Sequence, residues 1–265
     1  MTAQVDTAIH SVRWHRVHTA EWWKLTSLRS SWYLVAAVLV AVAGSGAFVA
    51  LGVALGGLEA TVEDVGPLGG ALSGIGLAEM IVAALGILAV TGEYASTAIR
   101  SSFIAVPRRD AVVFGKAAVV AEIALAVGLG SVAVAYGITR GVLARAGFEL
   151  SLTAPGVARA LGGAVLYLAL VGALGVGLGW LLRSTAGALT TFLGLFYGLP
   201  IVGLVLPLDV AAIVLPYLPG NAGGAIMQMA GPGGMLPPWA GLAVFAGYTL
   251  IALVGAAFVV RRRDV

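Results

Sequence analysis

The sequence predicts an all-α integral membrane protein with six transmembrane helices. Hydrophobic residues make up 60% of the 265-residue chain and charged residues only 10%, against about 45–50% and about 25% in a soluble domain. Mean hydropathy is +1.02, so too few polar side chains remain to cover a water-facing surface. The apolar residues fall in runs of about 20, the length at which a helix crosses a bilayer core.

Residues 1–31 hold no apolar core of a signal peptide. Trp14, Val17, Trp22, Leu25 and Leu28 fall roughly on one helical stripe, with Arg13, Arg16, Glu21, Lys24 and Arg29 between them. Tryptophans with basic residues just before a span predict a helix lying on the inner membrane surface. A plain topology anchor accounts for the same pattern.

Six apolar runs follow, at about 32–55, 73–91, 111–138, 157–182, 185–206 and 239–260. The stretch 207–238 is apolar but broken by Pro207, Pro216, Pro219 and a glycine-rich turn after Leu218. Its pieces are too short to cross, which predicts a re-entrant or interfacial outer hairpin between spans five and six. Six spans with the N-terminus inside place 12 of the 15 Lys and Arg residues on the inner side, leaving Arg140, Arg145 and Arg159 outside. That is the distribution expected of a plasma-membrane protein with both termini cytoplasmic. A seventh span would move Arg261, Arg262 and Arg263 outside. No linker divides the chain, so 1–265 reads as one membrane domain. Pairs such as Gly52/Gly56, Gly175/Gly179 and Gly194/Gly198 have the spacing that lets helix backbones approach closely, although glycine is common in membrane helices in any case.

Several chemistries are absent from the sequence. There is no cysteine, hence no disulfide, thiolate metal site or cysteine nucleophile. His10, His15 and His18 all precede the first apolar run, which removes a histidine-based intramembrane metal site and any base for Ser45 in Gly44-Ser45-Gly46. A pI near 9.4 reflects inner loops, not nucleic-acid binding.

The inner segment 92–110 between spans two and three is longer than a turn requires. Tyr94, Ile99, Phe103 and Val106 recur at helix-like intervals, with Glu93, Arg100, Arg108 and Arg109 as charges open to a cytoplasmic partner. The pattern predicts a short amphipathic helix ended by Pro107, with Glu93 bracing its start. Two acids lie inside predicted spans. Glu79 is near the outer end of span two, and Glu122 is about 9 Å along span three from Lys116 by helix rise. Intramembrane acids are candidates for a translocation path; each is equally a structural carboxylate, protonated or paired across the bundle.

Glu93-Tyr94, then Ile99-Arg100, Pro107-x-Arg109 and Lys116, together with Glu21-Trp22-Trp23-Lys24-Leu25-x-Ser27-x-Arg29-Ser30, resemble the type-2 ABC exporter permease family. Members often carry Gly-Thr before the Ile-Arg pair, where this chain has Thr97-Ala98. The resemblance implies that 92–110 is a coupling segment, with Glu93, Tyr94, Ile99, Arg100, Phe103, Pro107 and Arg109 at an ATPase. It also implies that Glu21, Trp22, Lys24 and Arg29 belong to a connecting helix. The implied protein is a transport subunit, not itself an enzyme. It works with two copies of a separate ATPase that binds ATP and Mg, and with a second permease chain, identical or homologous. The chain has no P-loop of its own: at its single Gly-Lys pair, Gly115-Lys116, Ala117 and Asp110 stand where the hydroxyl residue and first glycine belong. The few charges within the spans suit a hydrophobic or amphipathic cargo. An ion-driven secondary transporter is the alternative, though neither an inverted repeat nor paired broken helices are visible.

Overall fold

The computed structural model describes residues 14–55, 68–99, 108–145, 147, 149–229 and 235–262. Among them every regular element is helical. Helix α1 spans Trp14–Ser27, α2 Arg29–Ala54, α3 Ile75–Ala95, α4 Arg109–Arg145 and α5 Val157–Leu182. The chain continues through α6 (Thr185–Leu193), a π-helical turn (Gly194–Gly198) and α7 (Leu199–Gly203). Then come α8 (Leu208–Val214), α9 (Pro219–Gly224) and α10 (Pro238–Arg262). Six of these segments are long and apolar enough to cross a membrane, with Thr185–Gly203 taken as one. The pair Leu208–Tyr217 and Pro219–Met227 bends by 65° and raises the number to seven if it is taken as one crossing. The construction is compatible with a multi-pass membrane protein.

Helix α5 is the centre of the bundle. In its apolar window 78% of residues are buried, against 22% for α2 and 22% for Thr185–Gly203. Glycine sets how closely α3 approaches it. A Cβ on Gly86 would lie 2.3 Å from the Gly172 carbonyl oxygen, and one on Gly175 would lie 2.5 Å from that of Ala83. Neither backbone has room to yield, so these positions require glycine. Gly179 belongs to the same seam, 3.0 Å from Val90. At Gly194 and Gly198, by contrast, a Cβ would meet nothing closer than 4.0 Å. That predicted pair lies in the π-helical turn, not at a helix contact.

Two boundaries differ from the sequence reading. Arg140 and Arg145 belong to the last turns of α4, not to a loop. At 37 residues that helix is about 55 Å long, well beyond the ~30 Å hydrocarbon core. Residues 92–95 continue α3 in place of opening a new helix, so Glu93 lies in the last turn of α3. The bend comes at Thr97, whose φ is 60°. Proline geometry and polar anchors shape the segment before α10. Pro207, Pro216 and Pro219 stand at its helix starts. Arg159 of α5 donates to the carbonyls of Ile226 and Gln228, both at 2.7 Å.

Candidate functional site

Two charged residues of α1, Glu21 and Lys24, face the bundle, whereas Arg16 is exposed. Val17, Glu21 and Leu25 form its buried stripe, whereas Trp14, Trp22 and Leu28 are exposed. The apolar stripe drawn from the sequence therefore splits, and a carboxylate occupies the middle of the packed face. Gly115 on α4 makes the docking close, since a Cβ there would lie 3.0 Å from Val17.

Glu21 enters the bundle because its partners wait there. Its carboxylate accepts from Lys116 of α4, in an ion pair with side chains only 1% and 3% exposed. Lys116 also donates to Glu93 Oε1 at 2.8 Å. Lys24 donates to Glu21 Oε1 at 2.6 Å and to Glu93 Oε1 at 3.2 Å. Two acids and two bases thus close a neutral ring that joins α1, the end of α3 and the start of α4. Taking these charges out of water is costly unless each is paired and hydrogen-bonded. Three of the four carboxylate oxygens are satisfied by the two ammonium groups, while Glu93 Oε2 is buried without a hydrogen-bond partner. At Lys24, burial opposes the charge, but Glu21 and then Glu93 outweigh it and raise the ammonium pKa above its ordinary value of 10.5.

A second contact anchors the same helix. His18 Nε2 lies 2.8 Å from Glu122 Oε2 and 3.0 Å from Oε1. Glu122 is therefore bonded to α1, with its side chain 47% exposed. It does not stand alone on its helix. The physical reason is the length of α4, whose early turns have room to receive α1.

The segment leaving α3 is held to the bundle by Tyr94 and Ile99. The Tyr94 ring packs edge-on against Trp180, centroids 5.7 Å apart, and the Arg183 guanidinium lies over it at 5.1 Å. Arg183 itself ends α5 in a left-handed conformation, φ 53°. Ile99 is 2% exposed and packs in the chain's own core with Leu25, Val112 and Val113. In this arrangement its side chain is spent on internal packing. Arg109 donates to the Val260 carbonyl at 3.2 Å, and Asp110 pairs with Arg261 at 2.9 Å; both contacts tie the start of α4 to the end of α10. Arg29 is exposed at the start of α2. Arg100, Phe103 and Pro107 lie outside the described residues.

Glu79 is at the opposite end of α3. It is 8% exposed and its Oε2 accepts from Tyr167 of α5, while Oε1 lies 2.5 Å from the hydroxyl oxygen of Tyr197 in the π-helical turn. Neither tyrosine carried any sequence signal, because both sit in uniformly apolar runs. Lys116 and His18 carried only partial signals: Lys116 a place in the motif, His18 its i−3 spacing to Glu21. No group of three or more His, Cys, Asp or Glu residues fit to hold a metal occurs among the described residues.

Compared with family models, curated proteins and solved structures, the chain matches none.

Proposed function

We propose that the chain is the permease subunit of an ATP-driven exporter. The basic end of the bundle lies in the cytoplasm, and the ring Glu21–Lys116–Glu93–Lys24 transmits movement from a separate ATPase. The observation that carries this reading is the ring's position. It joins α1, the end of α3 and the start of α4, the two helices that residues 96–108 connect in the chain. A push on that segment cannot move α3 without straining α1 and α4, because unpairing a buried charge is expensive. Thr97 adds support. It adopts the left-handed conformation at the position where members of the type-2 exporter permeases often carry glycine.

In this reading a dimeric ATPase binds ATP and Mg and contacts 92–110. A second permease chain completes the path across the sparsely packed faces of α2 and Thr185–Gly203. The bent α8–α9 pair is an outer re-entrant hairpin. The cargo is hydrophobic or amphipathic.

Affinity purification of the full chain from its own membranes tests the proposal. An ATPase should co-purify and be stimulated by the chain, and Arg100→Glu should weaken that association without preventing membrane insertion. Cysteines at Glu63 and Asp209, but not at Ser101, should react with an impermeant thiol reagent outside intact cells. Transport that requires a proton gradient and proceeds without ATP would replace this reading with a secondary transporter.

A further inference from the structure

Glu79 differs from the acids at the basic end. Glu21 and Glu93 are matched by lysines and Glu122 by His18, but no cation lies within ion-pairing distance of Glu79 among the described residues. The ionisable groups that reach it are two phenols, Tyr167 and Tyr197. Its surroundings are otherwise apolar and aromatic: Tyr167 packs on Phe245 at 5.2 Å and Phe245 on Phe196 at 5.9 Å. A bare carboxylate in such a place is strongly disfavoured.

The hydrogen-bond inventory adds an independent argument. Three contacts converge: Tyr167 Oη with Glu79 Oε2, Tyr197 Oη with Glu79 Oε1, and Tyr197 Oη with the Gly76 carbonyl oxygen at 3.1 Å. Each contact needs one proton, and a phenol carries only one. An ionised Glu79 therefore leaves two protons for three contacts. One proton on Oε1 completes the set. Glu79 then donates to Tyr197, Tyr197 donates to the Gly76 carbonyl, and Tyr167 donates to Oε2.

We infer that Glu79 is held as the uncharged acid and is a proton-binding site, exchanging its proton through Tyr197 at the face of the fifth span. Tyr197 is 36% exposed, so the chain of bonds runs from an enclosed carboxyl to a residue at the surface of the bundle. It also sits in a π-helical turn, an irregularity that is rare and concentrated at functional sites. A shift of that turn toward α-helix would withdraw the phenol and leave the acid without its acceptor. The step is a proton transfer only: Tyr197 Oη–H turns from the Gly76 carbonyl and gives its proton to a water molecule as Oη takes the Glu79 proton, leaving a Glu79 carboxylate and a hydronium ion, and the reverse sequence reloads the acid. The inference does not depend on an ATPase or on any cargo.

Infrared spectroscopy of the full purified chain near neutral pH tests it directly. A carboxylic-acid C=O band should be present, move to lower frequency in D2O, vanish in Glu79→Gln and persist in Glu122→Gln. Tyr197→Phe should retain the band, shifted to higher frequency, and slow its deuterium exchange. Wild-type and Glu79→Gln spectra that coincide in the carboxylic-acid region would overturn the inference. Should Glu79→Gln fail to fold, Tyr167→Phe and Tyr197→Phe carry the same test, and a band that neither variant moves overturns it equally.

Discussion

Lys116 and Glu21 form an ion pair between α4 and α1 in which almost no side-chain surface reaches solvent. Such a pair adds little net stability over a well-packed apolar pair, yet removing one partner strands a buried charge. Lys116→Met and Glu21→Gln should each destabilise the protein by about 3–5 kcal/mol. Lys116→Met combined with Glu21→Gln should cost less than the sum of the two single changes. Thermal unfolding in detergent across the double-mutant cycle measures the difference. Additive effects would mean that the two residues are not coupled.

The same ring makes stability depend on pH at the alkaline end. The folded-state pKa of Lys24 is raised above 10.5, because Glu21 and Glu93 outweigh the opposing effect of burial. A raised lysine contributes its full stabilisation below the unfolded pKa and loses it as pH rises through the folded one. The melting temperature of the wild type should therefore fall more steeply than that of Lys24→Met once pH exceeds about 10.4. The two proteins should show parallel pH profiles below that range. Other lysines and tyrosines titrate in both, so the difference between the curves is the quantity to read.

The spans were legible because crossing a bilayer demands a length of apolar residues that the chain cannot disguise, and 157–182 matches α5 residue for residue. The break after 206 was legible from its prolines. The ring was not legible as a unit. Glu21 lies among tryptophans and basic residues in the sequence, and its buried partner Lys116 stands 95 residues away. Helical periodicity cannot report a contact at that separation. The partner of Glu122 was hidden for the same reason: a bond to a neighbouring helix was one reading of this acid, but His18 stands 104 residues away. Tyr197 carried no pattern at all, since its role depends on a π-helical turn that no composition rule marks.

Thr97 supplies a backbone prediction. A β-branched residue at φ 60° is strained by its own Cβ, by about 1–2 kcal/mol. Thr97 is exposed, so its side chain fills no packed space. Thr97→Gly relieves the strain and adds about 0.5–1 kcal/mol of unfolded-chain entropy. The net result should be a small rise in melting temperature. Thr97→Pro should lower it sharply, because proline fixes φ near −65°. If Thr97→Gly melts below the wild type, the left-handed bend after α3 is not the conformation of the protein in solution.

The seam between α3 and α5 supplies the last prediction, which separates glycine required by packing from glycine that merely occurs. At Gly86 the added methyl would meet the Gly172 carbonyl at 2.3 Å and the Val176 amide nitrogen at 2.9 Å. Both are backbone atoms of a helix with 78% of its apolar window buried, so the clash is relieved by moving α5 away from α3. Overpacking of this kind costs about 1–3 kcal/mol, and Gly86→Ala should lose that much. Gly162, on the same central helix α5, has nothing within 4 Å of its Cβ position. Gly162→Ala should therefore gain up to about 1 kcal/mol from helix propensity alone. The two substitutions are chemically identical, so membrane insertion and expression effects should largely cancel between them. Opposite signs in thermal unfolding would place α3 and α5 in backbone contact. Equal effects would mean that the two helices lie farther apart than the structure has them.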